Sequence, residues 1–210
     1  MRLLQIDASN IGDHARLTTN DACYHIYEYT SGRNYRFSKT NQLISNLKKK
    51  PTASDGERHW KGQAIRQCGA DLKAVLDPKW LADATIVPVP GSKARGHADF
   101  DDRIEQIGRL IRPGQDVRNL VVQSQSTVAA HEAAAGQRVT VEDLLAIYEI
   151  DEALADPEPT KIVILDDVLT AGTHFRAMQV ILSQRFPNAQ IIGLFVARRI
   201  FPNPFDALQE

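Results

Sequence analysis

The sequence predicts an α/β fold with a doubly wound, mostly parallel sheet, from the length and composition of its strands and from the helices between them. Unbroken apolar runs at residues 86–90, 120–122, 162–165 and 191–196 have the length of strands. They show no polar alternation, which is typical of parallel strands that helices cover on both faces. In this fold class, ligands bind beyond the carboxyl ends of the strands.

The segments between these runs carry apolar residues at helical spacing. Residues 60–76, 100–111 and 173–186 are predicted helices, each with one apolar side. Residues 127–135 are also predicted to be helical, and residues 143–150 are compatible with either a helix or a strand. The alternation of such helices with apolar strands is the pattern of a parallel α/β sheet.

Residues 1–83 have a less regular pattern. They are predicted to form an N-terminal α+β appendage to a core of residues 84–210, with both parts in one compact unit. Residues 2–6 and 23–29 are short strand candidates. A helix follows and is predicted to end at the lysines of residues 48–50, since positive charge complements the carbonyl end of a helix.

Length and composition indicate a soluble globular protein and exclude several kinds of site. The 210 residues are 43% hydrophobic and 24% charged, and they can bury a core without disulfides or metals. The net charge of −1 gives no global attraction for nucleic acid. Cys23 and Cys68 form no CxxC pair, so no structural zinc site is expected, and so few cysteines are typical of a reducing compartment. With no signal peptide and no apolar run near the ~20 residues of a membrane span, we expect a cytoplasmic protein without membrane contact.

The segment 162–174 carries the strongest functional signal. An apolar strand ends at Asp166 and Asp167, and a short loop of small residues then leads into a helix. Because a helix N-terminus presents unpaired N–H groups, this loop is suited to a phosphate monoester. Thr170 and Thr173 add hydroxyl donors to this loop. The two carboxylates can accept hydrogen bonds from ribose hydroxyls or hold a hydrated Mg²⁺. The simpler alternative is that Asp167 ends the strand and Thr173 caps the helix.

This combination, an apolar strand, two acids, two further residues and Thr-x-Gly at a helix start, resembles the diphosphate-ribose-binding motif of the type I phosphoribosyltransferases. The resemblance implies that Asp166 and Asp167 contact the ribose hydroxyls and Mg²⁺-bound water. It also implies that Thr170, Ala171, Gly172, Thr173 and His174 line the 5′-phosphate of phosphoribosyl diphosphate. Ala171 and His174 stand where the family commonly has threonines, which removes hydroxyl groups but keeps the backbone donors. The sequence contains neither GxxxxGK[ST] nor GxGxxG, so ATPase and dinucleotide-binding alternatives are not supported.

The loop after the apolar run at 86–90 supports the same resemblance. The letters VPVP, followed by a lysine and Arg-Gly, are similar to the ComF-like branch of the family. The resemblance implies that Lys93 and Arg95 neutralise the diphosphate leaving group, whereas a solvated basic loop is the simpler alternative. Residues 123–127 occupy the place of the family's mobile catalytic loop. The resemblance covers residues 84–199, and the zinc-binding cysteine cluster with which that branch often begins is absent from this sequence.

Basic and aromatic residues are interleaved between residues 24 and 50, with Glu28 as the only acid. Three interpretations of this segment remain open. It can be an amphipathic strand and helix with half-buried tyrosines and solvated lysines. It can form a hood over a small anionic or aromatic substrate. It can also bind single-stranded nucleic acid through charge and stacking.

The function implied by the resemblance is transfer of a 5-phosphoribosyl group from phosphoribosyl diphosphate, or the reverse reaction, through an oxocarbenium-like transition state. Mg²⁺ is the implied cofactor, and relatives in the family are often homodimers. Two alternatives use the same pocket. One is a non-catalytic protein of the same fold that senses a phosphoribosyl metabolite and acts on a partner such as nucleic acid. The other is hydrolysis of a phosphoribosyl compound.

Overall fold

The computed structural model describes residues 1–127 and 139–202, which contain a five-stranded sheet and a two-stranded sheet. The strands are β1 (Leu4–Gln5), β2 (Cys23–Thr30), β3 (Thr85–Pro88), β4 (Val121–Gln123), β5 (Tyr148–Ile150), β6 (Lys161–Leu169) and β7 (Gln190–Ile200). The larger sheet has the order β1-β2-β7-β6-β3, and all its neighbouring strands are parallel except β1 and β2. Strands β4 and β5 form the smaller, antiparallel sheet.

Helices cover both faces of the larger sheet. They are α1 (Lys39–Leu47), α2 (Asp55–Val75), α3 (Pro78–Ala82), α4 (Arg103–Ile111), α5 (Val141–Leu145) and α6 (Thr173–Arg185). Val163 and Leu165 of β6 belong to an apolar cluster that includes side chains of α1, α2 and α4. Ile162 and Ile164 belong to a second cluster with side chains of α5 and α6. Because successive strand residues point to opposite faces, β6 is buried on both sides. The predicted α/β class with a mostly parallel, helix-flanked sheet is confirmed.

Residues 1–83 are built into the larger sheet. Strand β2 pairs in parallel with β7, from Cys23 opposite Gly193 to Thr30 opposite Ile200. Strand β1 adds the antiparallel edge. Side chains of α1 and α2 lie in the same apolar cluster as side chains of α4 and β6. The first third of the chain and the remainder therefore share one sheet and one core.

Several predicted elements differ from the observed ones. The strand predicted at 162–165 continues to Leu169, because parallel pairing with β7 is maintained beyond the acidic pair. The strand predicted at 120–122 is observed as β4, but it pairs with β5 outside the larger sheet. The ambiguous segment 143–150 holds the end of α5 and all of β5. The helix predicted at 127–135 lies outside the described residues apart from Thr127. None of the helices in the described ranges is long and apolar enough to cross a membrane.

Gly193 of β7 lies where a side chain would overlap three buried groups. A Cβ atom at this position would lie 2.8 Å from Cε2 of Phe195 and 2.9 Å from both Sγ of Cys23 and Cε2 of Phe175. We expect Gly193→Ala to lower the free energy of unfolding by about 1–3 kcal/mol, because overpacking displaces rigid neighbours. Gly56→Ala is the matched control, since no atom lies within 4 Å of a Cβ at that helical position. Equal urea unfolding midpoints for the two variants would contradict this prediction.

Candidate functional site

A cavity of about 440 Å³ lies at the carboxyl end of β3 and β6. Four segments form most of its walls: the end of α1, the loop after β3, the start of α4, and the connection from β6 into α6. Its polar lining comprises Lys48, Lys50, Ser92, Lys93, His97, Asp99, Asp101, Arg103, Thr127, Asp166, Asp167, Thr170, Thr173 and His174. Its position agrees with the general rule that ligands of parallel α/β sheets bind at the carboxyl ends of the strands.

Asp167 is neutralised by two cations from separate elements. Its side chain is 6% exposed, and its Oδ2 accepts hydrogen bonds from Arg103 Nη2 at 2.7 Å and Arg103 Nε at 3.2 Å. Its Oδ1 lies 3.4 Å from Nζ of Lys48. Burial alone would raise the pKa of Asp167, but Lys48 and Arg103 hold that pKa below its usual value. Asp167 is therefore an ionised anchor for the two cations.

Asp166 is in the opposite electrostatic situation. Its Oδ1 accepts a hydrogen bond of 2.8 Å from the backbone N–H of Asp167. Within the described ranges, no cation forms a salt bridge with it. Burial and the neighbouring charge of Asp167 raise the pKa of Asp166 well above the usual value of an aspartate. The two acids of the predicted pair thus differ in role, and Asp166 is the one with an oxygen available to a ligand.

A buried lysine, Lys61, positions the two cations that contact Asp167, which are Lys48 and Arg103. Nζ of Lys61 donates to the carbonyl oxygens of Leu47 at 2.8 Å and Lys49 at 2.7 Å, and to Oδ2 of Asp101 at 2.7 Å. The same Asp101 oxygen accepts from Nη1 of Arg103 at 2.7 Å. Lys61 therefore ties the end of α1 to the start of α4, which fixes the residues that neutralise Asp167.

Residues 14–17 of the N-terminal segment contact the connection from β6 to α6 and hold its backbone in place. The carbonyl oxygen of Thr170 lies 2.5 Å from Nδ1 of the buried His14. The carbonyl oxygen of Ala171 accepts a hydrogen bond of 2.8 Å from the N–H of Arg16. Gly172 has a φ of 86°, and a Cβ atom there would lie 3.1 Å from Cδ2 of Leu17. These contacts turn the loop carbonyls toward residues 14–17 and explain why position 172 requires glycine.

The N-terminus of α6 is open to an anion. Gly172 is its N-cap, so Thr173 is the first helical residue and not the cap. No side chain caps this end, and the first N–H groups of the helix donate to no described backbone group outside it. Unpaired N–H groups and the helix dipole favour a phosphate oxygen at this point.

The loop after β3 places its two predicted cations differently: Lys93 lines two neighbouring cavities, whereas Arg95 lines only one of them. Lys93 lines the cavity described above and also the neighbouring one. Arg95 lines a neighbouring cavity of about 290 Å³, together with Glu105, Asn119 and Gln123, and is absent from the first. The loop is fixed on its inner side by a hydrogen bond of 2.7 Å from the N–H of Thr127 to the carbonyl oxygen of Ser92.

Most of the predicted site residues come together. The first cavity is lined by Asp166, Asp167, Thr170, Gly172, Thr173, His174 and Lys93. Ala171 and Arg95 do not line it. Sequence reasoning did not identify Arg103, Asp101 or Lys61 as part of the site, and it interpreted Lys48 only as a helix-ending charge. The adjacent acids and arginine at residues 101–103, directly before a helix, are the only sequence signal that pointed to this network.

The carboxylates do not fit a directly held Mg²⁺. Both oxygens of Asp167 already contact Arg103 or Lys48, which leaves Asp166 as the acid of the pair that is free for a metal. In residues 1–127 and 139–202, no group of three or more His, Cys, Asp or Glu side chains is arranged to hold a metal ion. Since Mg²⁺ is held by an octahedron of oxygens, a single carboxylate is a weak protein site for it.

No family model matches the chain, and no curated protein sequence matches it. The chemistry of the cavity itself must therefore indicate the ligand. One end of the cavity presents the open N-terminus of α6, and Lys93 supplies positive charge from another wall. Lys48 and Lys50 also line the cavity, where they pair with Asp167 and Asp99. The free carboxylate of Asp166 lies in the same cavity. This arrangement is complementary to a ligand that carries both phosphate and hydroxyl groups.

Proposed function

We propose that the cavity binds phosphoribosyl diphosphate, or a related ribose 5-phosphate compound, and that the protein transfers the phosphoribosyl group. The observation that carries this proposal is the presence of one unpaired carboxylate, an open helix N-terminus and Lys93 in a single cavity. A phosphate monoester fits the helix end, a sugar hydroxyl fits the carboxylate, and a diphosphate fits the lysine.

The 5′-phosphate is assigned to the start of α6. The N–H groups of Thr173 and His174 and the hydroxyls of Thr170 and Thr173 are the donors available there. The left-handed backbone of Gly172 sets the direction of these N–H groups. A small neutral donor set of this kind orients a dianion without burying a further positive charge.

The ribose hydroxyls are assigned to Asp166, and the diphosphate to Lys93. A carboxylate that accepts hydrogen bonds from both ribose hydroxyls fixes the sugar ring and stabilises the positive charge that develops on it. Lys93 can neutralise negative charge on the departing diphosphate.

A non-catalytic sensor of the same ligand is the second candidate. The observation that favours it is the occupation of Asp167 by Arg103 and Lys48, which leaves one acid of the pair for the ribose. Such a sensor could act through the exposed aromatic side chains of Tyr35 and Phe37, each of which lies beside an arginine. Cations beside aromatic rings are suited to nucleic acid.

Calorimetry with phosphoribosyl diphosphate tests the proposed function. We expect Lys93→Met to weaken binding by about tenfold or more, because a charge-assisted contact contributes about 1.5–3 kcal/mol. Arg95→Met is the matched control, since it removes a similar charge from the same loop but does not line the proposed binding cavity. Asp166→Asn should weaken binding of phosphoribosyl diphosphate and of ribose 5-phosphate alike.

Two results would contradict the proposal. One is the absence of binding by the wild-type protein, with or without Mg²⁺. The other is an equal loss of affinity in the Lys93 and Arg95 variants. Release of diphosphate in the presence of nucleobases would favour the transferase, and release without an acceptor would indicate hydrolysis. Binding without release under any acceptor, together with salt-dependent retention on single-stranded nucleic acid, would favour the sensor.

A further inference from the structure

The side chain of His174, the second residue of α6, forms a hydrogen bond with Tyr148, which lies outside the larger sheet. The hydroxyl oxygen of Tyr148, on β5, lies 2.9 Å from Nδ1 of His174. Tyr148 is 4% exposed, so its ring has little freedom to move away. The imidazole of His174 lines the cavity, and among the described residues its Nε2 has no hydrogen-bond partner. One ring nitrogen is thus engaged by the protein, and the other is available to a ligand.

The chemistry of the pair decides where the proton of the imidazole lies. A phenol is a good donor and a poor acceptor, whereas an unprotonated imidazole nitrogen is a good acceptor. No other described group accepts from the hydroxyl of Tyr148, so a proton on Nδ1 of His174 would leave that buried O–H without an acceptor. An unsatisfied buried donor costs about 1–3 kcal/mol. The O–H of Tyr148 therefore donates to Nδ1, and Nε2 carries the proton.

We propose that Tyr148 is a positioning residue that locks His174 in the tautomer protonated on Nε2, so that His174 is a neutral hydrogen-bond donor to a phosphate oxygen in the cavity. This inference rests on the proposed function for the identity of the ligand, but the tautomer does not depend on it. His174 then supplies a donor at a position where the diphosphate-ribose-binding motif that this segment resembles commonly has a threonine hydroxyl.

The charges around the ring are compatible with a neutral imidazole. Asp167 faces it from β6 and favours protonation, whereas Lys48, at the end of α1, opposes it. Burial has the largest effect and lowers the pKa of His174 to about 4. Burial and, second, the charge of Asp166 raise the pKa of the Tyr148 phenol, which keeps the hydroxyl protonated. The donor on Nε2 is therefore the same at every pH from about 5 upward.

Long-range ¹H–¹⁵N spectra of protein labelled with ¹⁵N-histidine test the tautomer directly. We expect the His174 signals, assigned by their loss in His174→Gln, to show a proton on Nε2 at pH 7. In Tyr148→Phe, which keeps the ring but removes the donor, we expect a mixture of the two tautomers. Addition of ribose 5-phosphate, or of inorganic phosphate as the smaller probe, should shift the Nε2–H signal of the wild-type protein.

Binding of ribose 5-phosphate provides the second measurement. The terminal amide of glutamine can place its nitrogen near Nε2, whereas that of asparagine reaches only the position of Nδ1. We therefore expect His174→Asn to lose about tenfold in affinity, more than His174→Gln, and Tyr148→Phe to lose about threefold to tenfold, as for a neutral hydrogen bond. A proton on Nδ1 in the wild-type protein, or an unchanged tautomer in Tyr148→Phe, would overturn the proposal and leave the proposed function standing. The expected tautomer without binding of either phosphate would overturn the role toward phosphate together with the proposed function.

Discussion

Replacement of Arg103 by methionine should lower the free energy of unfolding by about 3–5 kcal/mol, because it removes one partner of a buried ion pair. The side chains of Arg103 and Asp167 are 17% and 6% exposed and are joined at 2.7 Å. Without the guanidinium, Asp167 keeps only the longer contact to Lys48, at 3.4 Å. Asp101 also loses its bond to Arg103. Urea unfolding followed by circular dichroism measures the change.

Arg109→Met is the matched control for this variant. Arg109 is also on α4, and it pairs with Glu105 on the helix surface with 57% of its side chain exposed. Exposed pairs of this kind contribute at most about 0.5 kcal/mol.

Adding Asp167→Asn to Arg103→Met should restore part of the lost stability, since no buried charge is then left without its main partner. If Arg103→Met lowers the free energy of unfolding no more than Arg109→Met does, the ion pair between Arg103 and Asp167 does not stabilise the fold as a buried pair would.

Replacement of Asp166 by asparagine should stabilise the protein at pH 8, by an amount on the order of 1–3 kcal/mol. Burial and the charge of Asp167 raise the pKa of Asp166 in the folded state, whereas an unfolded aspartate titrates near about 4. Between these two values the folded protein holds a proton that the unfolded chain has lost. The contribution of Asp166 to stability is therefore complete below about pH 4 and declines as the pH rises through the raised folded pKa.

The comparison of pH 5 with pH 8 isolates this effect. The advantage of Asp166→Asn over the wild-type protein should be small at pH 5 and larger at pH 8. Glu149→Gln is the control, because it removes an exposed carboxylate from β5 and should change stability equally little at both values. A variant that is less stable than the wild-type protein at pH 8 would contradict the assignment of Asp166 as the acid without a cationic partner. If Asp166→Asn stabilises the protein and also weakens ligand binding, Asp166 is retained for function although it lowers stability.

The main features of the fold could be predicted from local patterns. The apolar runs near residues 86, 162 and 191 became β3, β6 and β7, because their burial on both faces requires continuous hydrophobic sequence. The end of β6 could not be predicted in this way. Two aspartates normally indicate the end of a strand, but pairing with β7 continues the strand past them to Leu169. Tertiary hydrogen bonds, which have no local signature, decided that boundary.

The site was predictable only where its residues are adjacent in the chain. The acids and the helix start lie within one short segment, so the spacing of Asp166, Gly172 and His174 indicated a phosphate site. Lys48 and Arg103 reach Asp167 from distant parts of the chain, and each sits in a sequence context that an exposed residue could equally occupy. Ala171 was expected in the cavity because it lies within the loop, but its carbonyl is bonded to Arg16 and it does not line the cavity.

The parallel pairing of β2 with β7 has a consequence for the order of folding. A strand from the first thirty residues finds its partner only after the chain has passed residue 190. Contacts of such long sequence separation form late and slow the folding of a domain. The cavity depends on them, since Lys48 follows α1, and α1 packs against β2 and α2. We therefore expect a partly folded chain to acquire the acidic strand before it acquires the cations that neutralise it, so that the cavity is complete only in the final stage of folding.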